Sequence, residues 1–438
     1  MARSSAVGGI AGMLPGATVC AGAVTTAAAC VCSDMAIALH AVGTALPPHR
    51  YAQPDVRQFM GRWIGGDRRT DKLLDRVYRA SAIDARHSVL DDFLPERSEL
   101  RVEAVGAPAP TGAHAPSLFL DADGGFRSPS TGERNALYVK HAPAIAEAAA
   151  RDALAAGGEL TAADVTHLIT VSCTGFFTPG VDLHLQRSLG LSPSVERYHL
   201  GFMGCFAAFP ALRMAQAFCT ADPRAVVLIV TVELCTLHLQ PSADVDGVLA
   251  TSVFADGAAA ALVSARPPSG PQRPLAIERH ATAVTRDGGD DMAWTIGDTG
   301  FDMTLTAYVP KVLEAETAEA LAPLFAAADV AAAMASSAGA PLAGAAATAA
   351  GDVRWWAVHP GGRAIVDKVA AAMSLPEAAV AASRSVLRRA GNMSSATVLF
   401  VLAELMDRSM PGPAAGEPLV ALAFGPGLTV DSALLRAI

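Results

Sequence analysis

The sequence repeats its own layout after 188 residues, counted from Asp164 to Asp352. Each of these aspartates opens a predicted strand, which a Gly/Pro turn and then a helical pattern follow. Cys205 lies 41 positions after Asp164, and Asn392 lies 40 positions after Asp352. A glycine precedes both residues, and an apolar, small-residue helical pattern follows each. The repeat predicts a duplicated fold in which each half points a helix N-terminus toward a common centre.

Strands and helices alternate along most of the chain. The strands are continuously apolar, as in Val226–Val232, which is typical of sheets that helices cover on both faces. Met35–Leu46 reads as the first strand, and Asp55–Leu90 has a helical pattern with a break at two glycines. Further strands are predicted at His167–Ser172, Ala225–Val232 and Ala258–Val263, and a helix at Asn135–Ala156. The pattern therefore predicts an α/β protein.

The 438 residues divide into three predicted regions. At roughly 150 residues per domain the length suggests two large units or three smaller ones. Residues 1–34 are rich in Ala, Gly, Ser and Thr, and we expect them to form a disordered N-terminal extension. Residues 35–270 and 271–438 are the expected N-terminal and C-terminal halves.

Composition narrows the classes of function and the location. A mean hydropathy of +0.34 raises the question of a membrane protein. The uncharged stretch Ser4–Ser33 is nevertheless built of small residues, which make a poor membrane-spanning helix. The net charge of -9, with scattered basic residues, argues against a nucleic-acid partner. Seven cysteines do not form a disulfide framework, so we expect a cytoplasmic protein without integral membrane association.

Cys205 is a candidate nucleophile. A thiol attacks only as the thiolate, whose formation is favoured at a helix N-terminus or beside an imidazolium. Gly204 would permit the tight turn before the helix. The alternative, an inert core thiol, is the ordinary role of a lone cysteine among apolar residues. The matching position of Asn392 favours the catalytic interpretation.

His359 and Asn392 are candidate partners of this thiol. His359 ends a predicted strand before a glycine turn, which is where α/β sheets present site residues. Asn392 offers an amide donor suited to an oxyanion. Alternatively, His359 is a surface residue and Asn392 a turn or cap residue. Together with Cys205 they supply a nucleophile, an imidazole and an oxyanion donor.

Four motifs carry a resemblance to a known family. They are Gly-Cys-Phe-Ala-Ala at 204–208, Ala-Val-His-Pro-Gly-Gly at 357–362, Gly-Asn-Met-Ser-Ser-Ala at 391–396 and Phe-Gly-Pro-Gly-Leu-Thr at 424–429. In this order they resemble the signatures of type III polyketide synthases, the chalcone-synthase family of the thiolase superfamily. The resemblance runs from about residue 36 to the C-terminus. Segments 201–205, 233–240 and 254–257 look most similar to bacterial members that make alkylresorcinols and alkylpyrones.

The resemblance implies a duplicated five-layered αβαβα thiolase-like fold and a homodimer that uses acyl-CoA and malonyl-CoA. No cofactor and no metal are implied. Cys205 would accept the starter acyl group as a thioester, and His359 would pair with its thiolate. His359 and Asn392 would hold the malonyl thioester carbonyl and stabilise the enolate left when CO2 departs. The implied product of iterative condensation and cyclisation is an alkylresorcinol or alkylpyrone, built on a long fatty acyl starter.

The resemblance also assigns a substrate pocket. Phe254 matches a gatekeeper between the CoA tunnel and the cavity, and an ordinary core aromatic is the alternative. A second gatekeeper position falls at Met303, with Phe301 close by as the other choice. The remaining expected pocket residues are Cys173, Cys235, His238 and Ser394.

A basic segment is the expected CoA-binding site. Arg76 aligns with a family arginine at the 3′-phosphate end of the tunnel, and Lys72 and Arg79 lie nearby. Arg and Lys suit phosphate because they form charge-assisted hydrogen bonds. The alternative for each residue is a solvated helix face.

Two other functions stay open on the sequence alone. One is a ketoacyl synthase of the same fold that condenses once and needs an acyl carrier protein. The other, from a different class, is a non-catalytic, envelope-associated binding protein, which the Ser4–Ser33 stretch hints at.

Overall fold

The computed structural model describes residues 36–93, 117–121, 125–326 and 350–438. The predicted N-terminal extension, residues 1–34, lies outside the described residues. The strands, in chain order, are β1 Ala38–Ala45, β2 His49–Ala52, β3 Ala85–Ser88, β4 His167–Ser172, β5 Glu196–Gly201, β6 Val226–Leu234, β7 Asp256–Ser264, β8 Leu275–Val284, β9 Met292–Gly297, β10 Gly300–Leu305, β11 Trp355–Val358, β12 Pro418–Gly425 and β13 Thr429–Ala437.

The helices alternate with these strands. In chain order they are α1 Gln53–Ile64, α2 Arg68–Ala80, α3 Thr131–Ala156, α4 Val181–Ser188, α5 Ala208–Ala221, α6 Val245–Val253, α7 Val309–Phe325, α8 Arg363–Ala372, α9 Ala381–Ala390 and α10 Thr397–Met406.

Nine of the strands form one sheet whose order repeats between the halves. The order is β11-β12-β13-β8-β1-β7-β6-β4-β5, and β1 and β8 pair antiparallel at the centre. Each half therefore begins at the centre with its first strand. In the first half, β7, β6 and β4 follow outward from β1, and in the second half β13, β12 and β11 follow outward from β8. In each half these are the last, the last but one and the second of its strands in the sheet. The predicted duplication is confirmed.

Side-chain alternation along the strands divides the core into layers. On β6, Val227 and Ile229 face a cluster that includes residues of α5 and α10, whereas Val226 and Leu228 face a cluster with residues of α3 and α4. On β12, alternate residues face α5 and α10 or the outer helices α7 and α8. The helices α5 and α10 thus lie between the two arms of the sheet. Strands such as β6 are buried on both faces, and the sequence of β6 is apolar over most of its length for this reason. The helices and the two arms of the sheet form the expected five αβαβα layers.

One predicted helix is wrong in part. The segment Asp55–Leu90 contains two helices, separated by Gly65 and Gly66 with φ of 61° and 148°. After Ala82, at φ 59°, the chain turns and Ala85–Ser88 pairs antiparallel with His49–Ala52 as a strand. A local pattern does not reveal this strand, because its partner lies more than 30 residues earlier.

Within the described ranges, no helix is both long enough and apolar enough to cross a bilayer.

Candidate active site

A left-handed glycine presents Cys205. Gly204 has φ +82°, and a Cβ atom on it would lie 2.7 Å from Cδ of Pro426, so a residue with a side chain does not fit here. The turn of residues 205–207 follows, and α5 begins only at Ala208. The predicted helix start is therefore three residues too early, but the thiol does lie at the N-terminal approach to an apolar helix.

The same device presents Asn392 in the second half. Gly391 has φ +74°, and the backbone of Asn392 bonds to both sides of Phe254: its N–H donates to the Val253 carbonyl at 2.8 Å, and its carbonyl accepts from Ala255 N–H at 2.8 Å. In the side chain, Oδ1 accepts from Ser394 N–H at 2.9 Å and Nδ2 donates to the Gly361 carbonyl at 3.2 Å. The second Nδ2 hydrogen contacts the Cys205 thiol at rest.

His359 follows β11 directly and is 1% exposed. Its backbone N–H donates to the Leu422 carbonyl at 2.8 Å, which extends the pairing of β11 with β12. Neither ring nitrogen has a hydrogen-bond partner among the described residues. Complete burial lowers the pKa of His359 to about 3. The neutral ring therefore keeps one N–H donor and one acceptor free.

The three side chains line one cavity of about 240 Å³. The Cys205 thiol forms hydrogen bonds with the side chains of Ser394 and Asn392. The structure thus brings together residues that lie up to 187 positions apart in the sequence. The other predicted pocket residues in the wall are Cys173, Cys235, Phe254, Met303 and Ser394, joined by Trp294, Leu249, Val253, Leu305 and Ile365 among others.

Burial acts against the expected thiolate–imidazolium pair. Burial raises the pKa of Cys205 to about 11, against the opposing hydrogen bonds of Ser394 and Asn392. Burial also lowers the pKa of His359. Burial favours the neutral form of both groups, because a charge is costly to hold away from water. Pairing of the Cys205 thiolate with His359 stays a prediction.

Two predicted pocket residues lie behind the wall. Met303 lines the cavity and Phe301 does not, so of the two candidate gatekeepers only Met303 is at the wall. His238, expected to line the pocket, is instead stacked on Phe301 with ring centroids 3.9 Å apart. The reason is that Trp294, which the sequence analysis did not single out, stands in the wall between His238 and the cavity, with its ring 5.9 Å from the imidazole.

The predicted CoA-binding residues lie outside the cavity wall. Lys72, Arg76 and Arg79 are exposed on α2, and Arg79 lies 3.8 Å from Asp75. The buried face of this helix contacts α6, where the Tyr78 hydroxyl bonds to the Thr251 carbonyl at 3.2 Å. Since α6 also contributes Leu249 and Val253 to the cavity, the basic helix is one helix away from it. A role in CoA binding stays a prediction.

Sequence reasoning missed Glu233. This fully buried carboxyl accepts from Cys173 N–H at 3.0 Å and from the Thr174 hydroxyl at 2.8 Å, and it also binds the Ser395 hydroxyl. Burial raises its pKa. It joins the strand β6 to the segment that follows Asn392, close to Cys205. A charged residue near the end of the apolar strand Val226–Leu234 was the available signal, because such residues are rarely buried without a purpose.

Comparisons with known proteins agree with this geometry. The models of the N-terminal and C-terminal domains of chalcone and stilbene synthases match residues 124–267 and 342–438. Bisdemethoxycurcumin synthase of rice, Oryza sativa subsp. japonica, is 34% identical over 411 residues, which cover 92% of this chain and 93% of the rice protein.

Solved structures extend the match to the fold. The C-terminal type III polyketide synthase domain of Steely1, a hybrid from Dictyostelium, is 25% identical with a TM-score of 0.75, covering 92% of this chain and 99% of that one. PKS-I of the brown alga Ectocarpus siliculosus is 29% identical with a TM-score of 0.76, covering 92% and 98%. With its thiolase-like five-layered fold, the chain belongs to the chalcone and stilbene synthase family of type III polyketide synthases, acyltransferases that condense malonyl-CoA.

Proposed function

We propose that this protein extends a fatty acyl-CoA starter by repeated decarboxylative condensation with malonyl-CoA and closes the product to an alkylresorcinol or alkylpyrone. The observation that carries the proposal is that Cys205, His359 and Asn392 line the same apolar cavity. The proposed reaction requires no cofactor, because both carbon donors are themselves CoA thioesters.

Acyl transfer is the first step. The sulfur of Cys205 attacks the thioester carbonyl of the starter, the C–S bond to CoA breaks, and the acyl group becomes a thioester of Cys205. Since the thiol is protonated at rest, its proton leaves during the attack. The free acceptor nitrogen of neutral His359 receives it and returns it to the departing CoA thiolate.

Decarboxylation of malonyl-CoA is the second step. The malonyl thioester oxygen accepts hydrogen bonds from the His359 ring N–H and from the Nδ2 hydrogen of Asn392 that contacts the Cys205 thiol at rest. When the bond to CO2 breaks, its electron pair becomes an enolate whose charge rests on that oxygen, so donors already in position lower the barrier. The enolate carbon then attacks the acyl thioester, a C–C bond forms, and the Cys205 sulfur leaves.

The lining and the volume of the cavity limit which acyl starter can bind. Its wall is largely apolar, from Phe254 and Trp294 to Leu305, which suits a hydrocarbon chain and not a polar acyl group. Its volume of about 240 Å³ lies below the range of roughly 300–1,000 Å³ common for ligand sites. A long acyl chain therefore fits only if residues of the cavity wall move. The series of acyl-CoA starters that is tested must for this reason include short as well as long chains.

Arg76, with Lys72 and Arg79, is proposed to bind the phosphates of CoA. The exposed guanidinium and ammonium groups lie on a helix that packs against a helix of the cavity wall. Phosphate contacts affect substrate and transition state alike. Arg76→Ala is therefore expected to raise KM for the acyl-CoA and to leave kcat unchanged, whereas Arg224→Ala, a change at another exposed arginine, leaves both unchanged.

We further propose a homodimer in the cytoplasm, in keeping with the family. Phe176, which is 37% exposed, and Val139, which is 39% exposed, offer apolar surface for a second copy. Light scattering at working concentration tests this, and a monomer mass contradicts it.

The reaction itself is tested with purified full-length protein, a series of saturated acyl-CoAs and malonyl-CoA, and no carrier protein. Mass spectrometry should find products lengthened by two carbons per round, and none with Cys205→Ala. Product that appears only with an acyl carrier protein would favour the single-condensation alternative. Acyl-CoA binding without CO2 release would favour a binding protein.

A further inference from the structure

The far wall of the cavity is a hairpin that stands apart from the nine-stranded sheet. It consists of β9 and β10, in which Trp294 pairs with Met303 across the strands. Both side chains are in the wall. Phe301 lies two residues before Met303 on the same face of β10, with its ring 6.0 Å from the indole of Trp294. The depth of the cavity therefore depends on how firmly Phe301 backs Trp294.

His238 holds Phe301 in two ways. Its ring is stacked on the Phe301 ring at 3.9 Å and 11°, and its Nδ1 lies 3.2 Å from the Phe301 amide nitrogen. An amide N–H only donates, so Nδ1 accepts and the proton of the neutral ring lies on Nε2. Nε2 then donates to the Thr174 carbonyl at 2.8 Å. The imidazole is thus a bridge that both accepts and donates.

The other end of the bridge, Thr174, is next to a residue of the wall. Cys173, next to Thr174, lines the cavity, and its carbonyl accepts a hydrogen bond from Nε1 of Trp294 at 3.1 Å. The Cys173–Thr174 segment is fixed in turn by Glu233, which binds the Cys173 amide and the Thr174 hydroxyl. An indole and an imidazole therefore tie the hairpin to one rigid segment of the first half.

We propose that His238 is a positioning residue that sets the depth of the acyl cavity, and so the chain length the enzyme prefers, by bridging Thr174 to Phe301 behind Trp294. The proposal rests on the proposed function for its substrate class. His238 touches no substrate in this role. Without the bridge, the hairpin yields and longer acyl chains enter.

The main test compares His238→Phe with His238→Gln. Phenylalanine keeps a flat ring on Phe301 but forms neither hydrogen bond, whereas glutamine has both an acceptor and a donor and is expected to restore the bridge. His238→Leu is a second variant without bonds, should His238→Phe fold poorly. The matched control is Asp302→Ala, which removes the 3.0 Å hydrogen bond from Gln240 Nε2 to Asp302 on the same strand but leaves both bonds of His238 and the bond from Gln240 to the Phe301 carbonyl in place.

The measurement is kcat/KM for a long over a short saturated acyl-CoA, with product masses. His238→Phe should raise this ratio about tenfold, the scale on which pockets discriminate methylene groups. Its kcat with the short starter should stay near that of the parent protein. His238→Gln should return the ratio toward the parent value, and Asp302→Ala should leave it unchanged. An unchanged ratio in both His238→Phe and His238→Leu, or an equal rise in Asp302→Ala, overturns the proposal.

A binding series separates this proposal from the proposed function. In proteins that also carry Cys205→Ala, equilibrium dissociation constants are measured for acyl-CoAs of increasing length. His238→Phe should move the tightest binding to a longer chain, and an unmoved optimum counts against the bridge. If the parent protein forms no product from any acyl-CoA, the proposed function fails, while the binding series still decides the role of His238.

Discussion

The two ends of the cavity are built by different means. At the reactive end, Cys205 and Asn392 each follow a glycine with positive φ, and Asn392 and His359 are held by backbone hydrogen bonds to neighbouring segments. At the far end, the hairpin β9–β10 is tied through side chains, among them those of His238, Trp294 and Thr131. Backbone bonds tolerate most substitutions and side-chain bonds do not. The reactive geometry is thus part of the duplicated framework, whereas the space for the acyl chain depends on a few exchangeable residues.

The largest effect should follow a change at the reactive end. Cys205→Ala removes the only atom that bonds to the acyl group, so condensation should fall by about 10³-fold or more. The measurement is product formation from acyl-CoA and malonyl-CoA. Circular dichroism and thermal unfolding should show an intact fold, because alanine fits the cavity. Product at the parent rate would remove Cys205 from its role.

Next in size is the loss of a donor to the enolate oxygen. His359→Ala and Asn392→Ala should each slow CO2 release from malonyl-CoA by about 10²–10³-fold, since each removes a preorganised donor. Transfer of a starter to Cys205, followed by intact-protein mass spectrometry, serves as a separate readout for Asn392→Ala and should change less. Normal decarboxylation in both variants would show that the charge develops elsewhere.

A change at the far end should alter selectivity and spare the chemistry. Trp294→Ala removes the indole from the wall and its bond to the Cys173 carbonyl, so the cavity deepens toward Phe301. We expect the preference for long over short acyl-CoA starters to rise by about tenfold, with malonyl-CoA decarboxylation near the parent rate. A loss of decarboxylation that equals the loss in the reactive-end variants would break the contrast between the two ends.

The last prediction concerns stability instead of activity, at the glycine that presents the thiol. Gly204→Ala introduces a Cβ 2.7 Å from Pro426 at φ +82°, so we expect a loss of about 2–4 kcal/mol in unfolding free energy from strain and overpacking. Gly416→Ala is the control, since φ there is +86° but no atom lies within 4 Å of the added Cβ, and it should cost only about 1–2 kcal/mol. Chemical denaturation measures both. Equal losses would mean that Pro426 moves aside.

Much of the fold could be predicted because its signals are local. The strand His167–Ser172 was predicted with the bounds it has, and the helix Asn135–Ala156 begins only four residues earlier, at Thr131. A capping box of Ser130 and Glu133 explains the earlier start. The strand Ala85–Ser88 was missed because pairing with a distant segment outweighs its helical pattern. His238 was placed in the pocket because the sequence does not show that Trp294 stands in front of it.

The sequence by itself predicted the duplicated framework and singled out the three side chains that meet in the cavity, because apolar periodicity and glycine turns act over a few residues and recur in both halves. Only the tertiary structure decided which side chains bound the cavity and which groups are charged. Both depend on packing: the wall is set by a hairpin that folds back from the second half. The raised pKa of Cys205 and the lowered pKa of His359 follow from burial that no stretch of sequence reveals.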